Sequence, residues 1–155
     1  MAVQKNINIQ NKKARFEFEI LDKFVAGIQL TGTEIKSIRL SQARITESFC
    51  EFNDRGELFI VNMYIQEYMF GHHFNHKPKS ERRLLLNKRE LRSLKKDVEA
   101  KGNTIVPLRL FINDRGFAKL EIALAKGKQI HDKREVLKAR DSKRDLARIK
   151  KNFNA

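Results

Sequence analysis

The chain has 155 residues, with 33 Lys and Arg against 19 Asp and Glu, and a formal net charge of +14. That length fits one domain, and that charge points to a polyanionic partner, with RNA or DNA the first candidate. No run of about 18 apolar residues is available to span a membrane, the N-terminus does not read as a secretory leader, and the single Cys50 allows no internal disulfide, so a reducing, cytoplasmic setting is expected.

In chain order, Ala14 to Leu21 alternates Phe16, Phe18 and Ile20 with Glu17 and Glu19, a period of two that predicts a strand. Phe24 to Leu30 reads as a second strand, interrupted at Gly27 by a bulge. Gly32-Thr33-Glu34 opens a short segment of helical character that ends near Leu40. Two hairpins share a turn: Asn53-Asp54-Arg55-Gly56 and Asn113-Asp114-Arg115-Gly116 each combine residues that tolerate left-handed backbone with a glycine that adopts it freely. Pro107 cannot donate to a ladder, so its strand is an edge or carries a bulge. Asn87 is a good N-cap with Glu90 three residues on, Leu91, Leu94 and Val98 follow at helical spacing, and Gly102 is the expected stop. The polar loop from Met69 to Arg83 is a candidate binding loop.

These elements make a mainly β body over residues 1–125, with six or seven short antiparallel strands and two helices. Eleven Phe and no Trp suggest a core built from aliphatic residues and Phe. A closed or partly closed barrel of the OB type and a sandwich both fit the pattern. Residues 126–155 are different in kind. From Lys126 onward eleven basic residues face four acidic ones, a net +7 with little apolar material to fold around. Such a tail is expected to be disordered alone and helical when laid on a polyanion.

The chemistry-bearing residues favour binding over catalysis. His72, His73 and His76 form HHxxH, but the surrounding Lys77, Lys79, Arg82 and Arg83 disfavour a cation, so phosphate donation or base stacking is the better reading. No phosphate-cradling glycine loop or nucleophile elbow is present. Cys50, in an apolar run, reads as a small buried strand residue. Glu34 could serve as a nuclease base or accept a hydrogen bond from a base edge. Nucleases gather several acids around metal, and here the acids are scattered, which favours recognition. No catalytic residue, metal or cofactor is expected.

Five segments, taken together, resemble the small protein B family, the SsrA-binding proteins of bacterial trans-translation. They are NKKARFEFEI from Asn11, LTGTEIKSIRLSQARI from Leu30, NHKPKSERRLLLNKREL from Asn75, GNTIVPLRLF from Gly102 and GFAKLEIALAKGKQIHDKR from Gly116. The resemblance implies an OB-like antiparallel β-barrel with two or three flanking helices and a basic, unstructured tail. It implies binding to the tRNA-like domain of transfer-messenger RNA and delivery of that RNA to stalled ribosomes. The body then replaces the anticodon arm, and the tail enters the empty mRNA channel beside small-subunit rRNA. Elongation factor Tu and alanyl-tRNA synthetase would be partners through the RNA.

By position, the resemblance assigns RNA binding to Glu34, Leu85 and Asn87. Lys36 and Arg39 are candidates for phosphate contacts, with Lys12, Lys13 and Arg15 adding to the same basic face. Glu34 and Asn87 could meet nucleotide edges or each other, with Leu85 beneath them or in the core. Glu34→Ala or Asn87→Ala is expected to weaken RNA binding with the fold intact. In the tail, Lys126, Gly127, Lys128, His131, Asp132, Lys133 and Arg134 match the family segment that meets the decoding centre, and Lys138, Arg140, Arg148 and Lys150 extend its charge. Some relatives carry a Trp near the place of Ser142, so stacking at that point has no counterpart here.

Overall fold

The computed structural model describes residues 6–100 and 102–127. Its elements are β1 (Asn8–Gln10), α1 (Lys12–Glu17), β2 (Phe18–Ile28), α2 (Gly32–Arg39), β3 (Ala43–Arg44), β4 (Phe49–Phe52), β5 (Leu58–Val61), β6 (Tyr64–Ile65), a 3-10 turn at His72–Phe74, β7 (Arg82–Leu85), α3 (Lys88–Glu99), β8 (Asn103–Ile112) and β9 (Ala118–Gly127). Every pairing is antiparallel, and the large sheet runs β1-β8-β4-β5-β7-β2-β9. β9 pairs with both β2 and β8, so the order returns on itself and the sheet closes into a barrel. Closure removes the free sheet edges that a sandwich would leave. β1 adds to the side of β8, and β3 with β6 forms a small separate ladder.

β9 shows how sequence alternation builds the interior. Ala118, Leu120, Ile122 and Leu124 point inward and are buried, and Lys119 and Glu121 between them face out. Ala123 and Ala125 also lie on the outer side, yet they are fully buried because α1 covers them. There they join Ala14, Val106 and Leu108 in a satellite cluster edged by Phe18 and Ile20. Small side chains let the helix approach the sheet closely. The main core is filled by Ile and Leu from the ring, closed over by Ile38 of α2 and Leu94 of α3. Leu94 is the one fully buried residue of α3. A buried leucine contributes about 1.5–3 kcal/mol, so this residue anchors an otherwise polar helix.

Four sequence expectations change. Ala14 to Glu17 is helix, not strand: Asn11 accepts from Ala14 N at 3.3 Å and donates to Pro107 O at 3.0 Å, so a capped turn displaces the alternating pattern. The strand then runs unbroken from Phe18 to Ile28, with its irregularity between Ile20 and Asp22. Gly27 is in regular register with Leu85 and Lys119. A Cβ there would meet Leu85 Cβ at 3.3 Å, so the glycine serves a close strand approach rather than a bulge. Phe takes a smaller part in the core than expected: Phe24 and Phe52 pack partly buried against it, and among the described residues no Phe is fully buried. Finally, Lys126 and Gly127 belong to β9, paired with Glu19 and Phe18.

Both hairpins form as expected, with Gly56 at φ 76° and Gly116 at φ 86°. The Pro107 strand carries its shift between Pro107 and Arg109. α3 has its Asn87 cap and ends at Glu99, and Gly102 supplies a positive φ just beyond.

Candidate nucleic-acid interface

The sequence Thr31-Gly32-Thr33-Glu34 is a capping box. Thr31 Oγ1 accepts from Glu34 N at 3.4 Å, and Glu34 Oε1 accepts from Thr31 N at 2.9 Å. On a solvent-facing helix the second carboxylate oxygen would bind water. Here Oε2 accepts from Arg82 Nε, in a pair whose members are only 4% and 3% exposed. Three more guanidinium N–H groups donate, to Met63 O at 2.8 Å, Lys77 O at 3.2 Å and Pro78 O at 3.1 Å. A buried ion pair survives only when its leftover donors and acceptors are satisfied in this way.

The neighbouring residue makes a second tie. His76 Nε2 lies 2.9 Å from Ile65 O, and Nδ1 lies 2.9 Å from Thr33 Oγ1. A carbonyl only accepts, so Nε2 carries a proton, and Nδ1 shares the second hydrogen bond with the hydroxyl. His76 is thus buried with both nitrogens occupied, while His72 and His73 are exposed, so HHxxH does not converge on one point. Among the described residues no three His, Cys, Asp or Glu side chains gather where a metal could be held.

Thr33 and Glu34 therefore fasten the segment between β6 and β7 onto α2. Within it, Asn75 bridges both polar groups of Tyr68, donating to its carbonyl at 2.7 Å and accepting from its N–H at 3.0 Å. Gly71 sits so close to this bridge that a Cβ would fall 2.6 Å from Asn75 Nδ2. The fastened loop holds apolar side chains out to solvent: Met69, Phe70 and Phe74, the last 91% exposed. Tyr68 packs edge-on against Phe70 at 5.6 Å, and Lys36 Nζ lies 5.5 Å from the Tyr68 ring centre. Beside the loop is an open groove of about 630 Å³, walled by Gln29, Thr31, His76, Ser80, Arg83 and the Glu34–Arg82 pair. The groove's own lining offers the cations Lys77 and Arg83, the ring of Phe59 and polar side chains, a mix that suits an RNA with unstacked bases.

The candidate residues fall into separate places. Glu34 is turned inward and meets Arg82; Asn87 uses Oδ1 to cap Glu90 N at 2.8 Å, so the two do not bond each other. Leu85 is not core: it is 45% exposed on the outer face of β7, against Gly27. Lys36 is exposed, and Arg39 reaches Gly116 O at 3.5 Å in the β8–β9 turn. Lys12, Lys13 and Arg15 lie on α1, which packs on β8 and β9 instead. Lys13 pairs with Glu47 and, at 3.7 Å, with Glu17; the bond to Glu47 first, and the field of both acids, raise its pKa. Cys50 is buried, and loss of solvent pushes its thiol up. Lys126 and Gly127 end β9, whereas Lys128, His131, Asp132, Lys133, Arg134, Lys138, Arg140, Arg148 and Lys150 lie outside the described residues.

Sequence reading named His76 as a phosphate or base contact and Arg82 as part of a basic cluster, and missed the internal ties that these two make with Thr33 and Glu34, and the bridge made by Asn75. The Thr31–Glu34 box was detectable as a local pattern, but Arg82 is 48 residues from its partner and carries no local mark.

A family model described as SmpB protein matches residues 8–152. The SsrA-binding protein of Flavobacterium psychrophilum is 66% identical over 149 residues, covering 96% of this chain and 99% of that protein. That of Christiangramia forsetii is 60% identical over 151 residues, covering 97% and 96%, and that of Brucella canis is 54% identical over 140 residues, covering 90% and 88%. A solved structure from work on tmRNA-SmpB in the bacterial ribosome matches at 44% identity and a TM-score of 0.68, covering 84% of this chain and 94% of that one.

Proposed function

The chain belongs to the SmpB protein family, and from that premise we propose that it binds the tRNA-like domain of transfer-messenger RNA and carries it to stalled ribosomes for trans-translation. It is a binding adaptor, not an enzyme. The observation that carries this reading is the groove beside the fastened loop, lined by Phe59, Lys77 and Arg83, together with the exposed rings that the loop itself holds out.

Within that reading Glu34 is a positioning residue: it holds Arg82, and Arg82 holds the carbonyls of the loop. Asn87 caps α3 with Oδ1 and keeps Nδ2 free to donate to a nucleotide. Leu85 offers an exposed apolar surface on which a sugar or base can rest. Lys36, Arg39, Lys12, Lys13 and Arg15 supply phosphate contacts on two faces, one at α2 and one at α1.

The body over residues 1–125 stands in for the anticodon arm. The segment after Gly127 enters the ribosome, with His131, Lys133 and Arg134 at the decoding centre and Lys138, Arg140, Arg148 and Lys150 along the mRNA channel. Elongation factor Tu and alanyl-tRNA synthetase join through the RNA, in the cytoplasm.

A competition assay tests the central claim. Labelled tRNA-like domain is challenged with bulk tRNA and unrelated structured RNA at one fixed, near-physiological salt, because low salt favours nonspecific phosphate contacts. Retention of the labelled RNA against excess competitor is expected. Equal displacement by any RNA would overturn the reading.

A further inference from the structure

A second cleft, of about 380 Å³, adjoins the groove, and Arg83 lines both. Its walls are the β4–β5 turn with Leu58, Arg83 and Leu84 of β7, and one face of α3. The cations there are Arg55, Arg83, Lys88, Arg92 and Lys95, against the single acid Glu57. Glu57 is already paired with Arg83 at 3.0 Å. Arg55, Lys88, Arg92 and Lys95 form no ion pair among the described residues. Four like charges around one concavity repel one another and raise the local attraction for an anion.

The arrangement suits an extended anion. Lys88, Arg92 and Lys95 are spaced i, i+4, i+7, so they form one stripe along α3. The stripe runs for about 10 Å at 1.5 Å per residue, too long for a single phosphate group. It is also continuous with the RNA-binding positions. Arg83 and Leu85 share the outer face of β7, since Arg82 and Leu84 between and beside them are buried. Asn87 immediately precedes Lys88.

We infer that this cleft is a second RNA-backbone site, taking phosphates of the RNA whose bases enter the groove. The inference rests on the proposed function and adds five residues to it. The same surface could in principle receive an acidic protein segment; continuity through Arg83 into the groove favours RNA.

The test uses the full chain and the tRNA-like domain over a salt series. Lys88, Arg92 and Lys95 are changed together to Gln. A control changes Lys23, Arg89 and Lys96 to Gln, which removes the same charge from residues outside the cleft. Each neutralised phosphate contributes about 0.7–0.9 to the slope of log affinity against log salt. The cleft triple should lower that slope by about two and weaken binding about tenfold or more at ~0.1 M salt. The control should leave the slope unchanged, and thermal melts should show all three proteins folded. Equal slopes in the triple and the wild type overturn the cleft, as does an equal fall in the control. An unchanged RNA slope with lost binding of poly-glutamate assigns the cleft to an acidic protein and also overturns it. Failure of the wild type to prefer the tRNA-like RNA over unrelated RNA instead overturns the functional reading, a separate result.

Discussion

Helices α2 and α3 start with the same local device and put it to different uses. Each has a capping box, Thr31 with Glu34 in one and Asn87 with Glu90 in the other. Glu90 is spent on the cap alone, at the surface. Glu34 does the same and also neutralises a buried arginine from a strand 48 residues away. Beside α2 the charge is paired inside the protein and its effect is order in a loop. Beside α3 most charges are unpaired and face outward, where a ligand can reach them. A capping pattern predicts a helix start, and only the tertiary partner decides whether its acid becomes structural.

The sharpest way to break this contrast is Glu34→Ala. Removing one member of a buried pair costs about 3–5 kcal/mol, so urea unfolding should show a large loss of stability as well as weaker RNA binding. That outcome departs from the expectation of an intact fold drawn from sequence alone. A loss under about 1 kcal/mol would mean that Arg82 finds water and the pair is not structural.

Replacing both members, with Glu34→Gln and Arg82→Met, should cost clearly less than the sum of the single changes, because no lone charge is left buried. The double variant should nevertheless bind RNA poorly, since the carbonyls of Met63, Lys77 and Pro78 lose their common donor. Wild-type affinity in that variant would show that the loop needs no such tie.

At α3 the matching change, Asn87→Ala, should cost only about 1 kcal/mol in a thermal melt. Asn87→Asp should keep the cap but lose the amide donor, separating stability from binding. If both substitutions bind RNA as the wild type does, Asn87 is a cap and nothing more.

The smallest effect belongs to the surface pair on α1. Lys13 is raised above its ordinary pKa of 10.5 by Glu47 and Glu17. A raised lysine stabilises the fold below pH 10.5, and the contribution disappears as pH climbs through the folded value. NMR titration should find Lys13 deprotonating above the ordinary 10.5, and Glu47→Gln should bring it back. Exposed pairs are weak, so no measurable change in melting temperature is expected at neutral pH.

What was legible in the chain was local. The Asn-Asp-Arg-Gly turns, the Asn87 cap and the alternation of Leu120, Ile122 and Leu124 each announce themselves within a few residues. Two competing local signals misled at α1, where Phe16 and Phe18 alternate as in a strand but Asn11 nucleates a helical turn against Pro107. Barrel closure was not legible, because the β8–β9 and β2–β9 ladders fit an open sandwich equally well until one strand is seen to carry both. Phe24 and Phe52 pair with Ile122 and Leu58 and pack against the core from its margin, while Ile and Leu fill its centre. At the site, Glu34, Leu85 and Asn87 were picked out by family position, but the tie that fixes Glu34 comes from Arg82, 48 residues away, and has no local mark.

The double pairing of β9 also has a mechanical consequence. Its penultimate residue, Lys126, is in register with Glu19 on one side and Asn103 on the other, and Gly127 still pairs with Phe18. Antiparallel hydrogen bonds lie across the strand axis. A pull along that axis on the segment beyond Gly127 would therefore load two ladders in shear, with many bonds sharing the force rather than peeling one at a time. The strand that closes the barrel is thus also its tow point: tension entering from the C-terminal side is carried straight into the core.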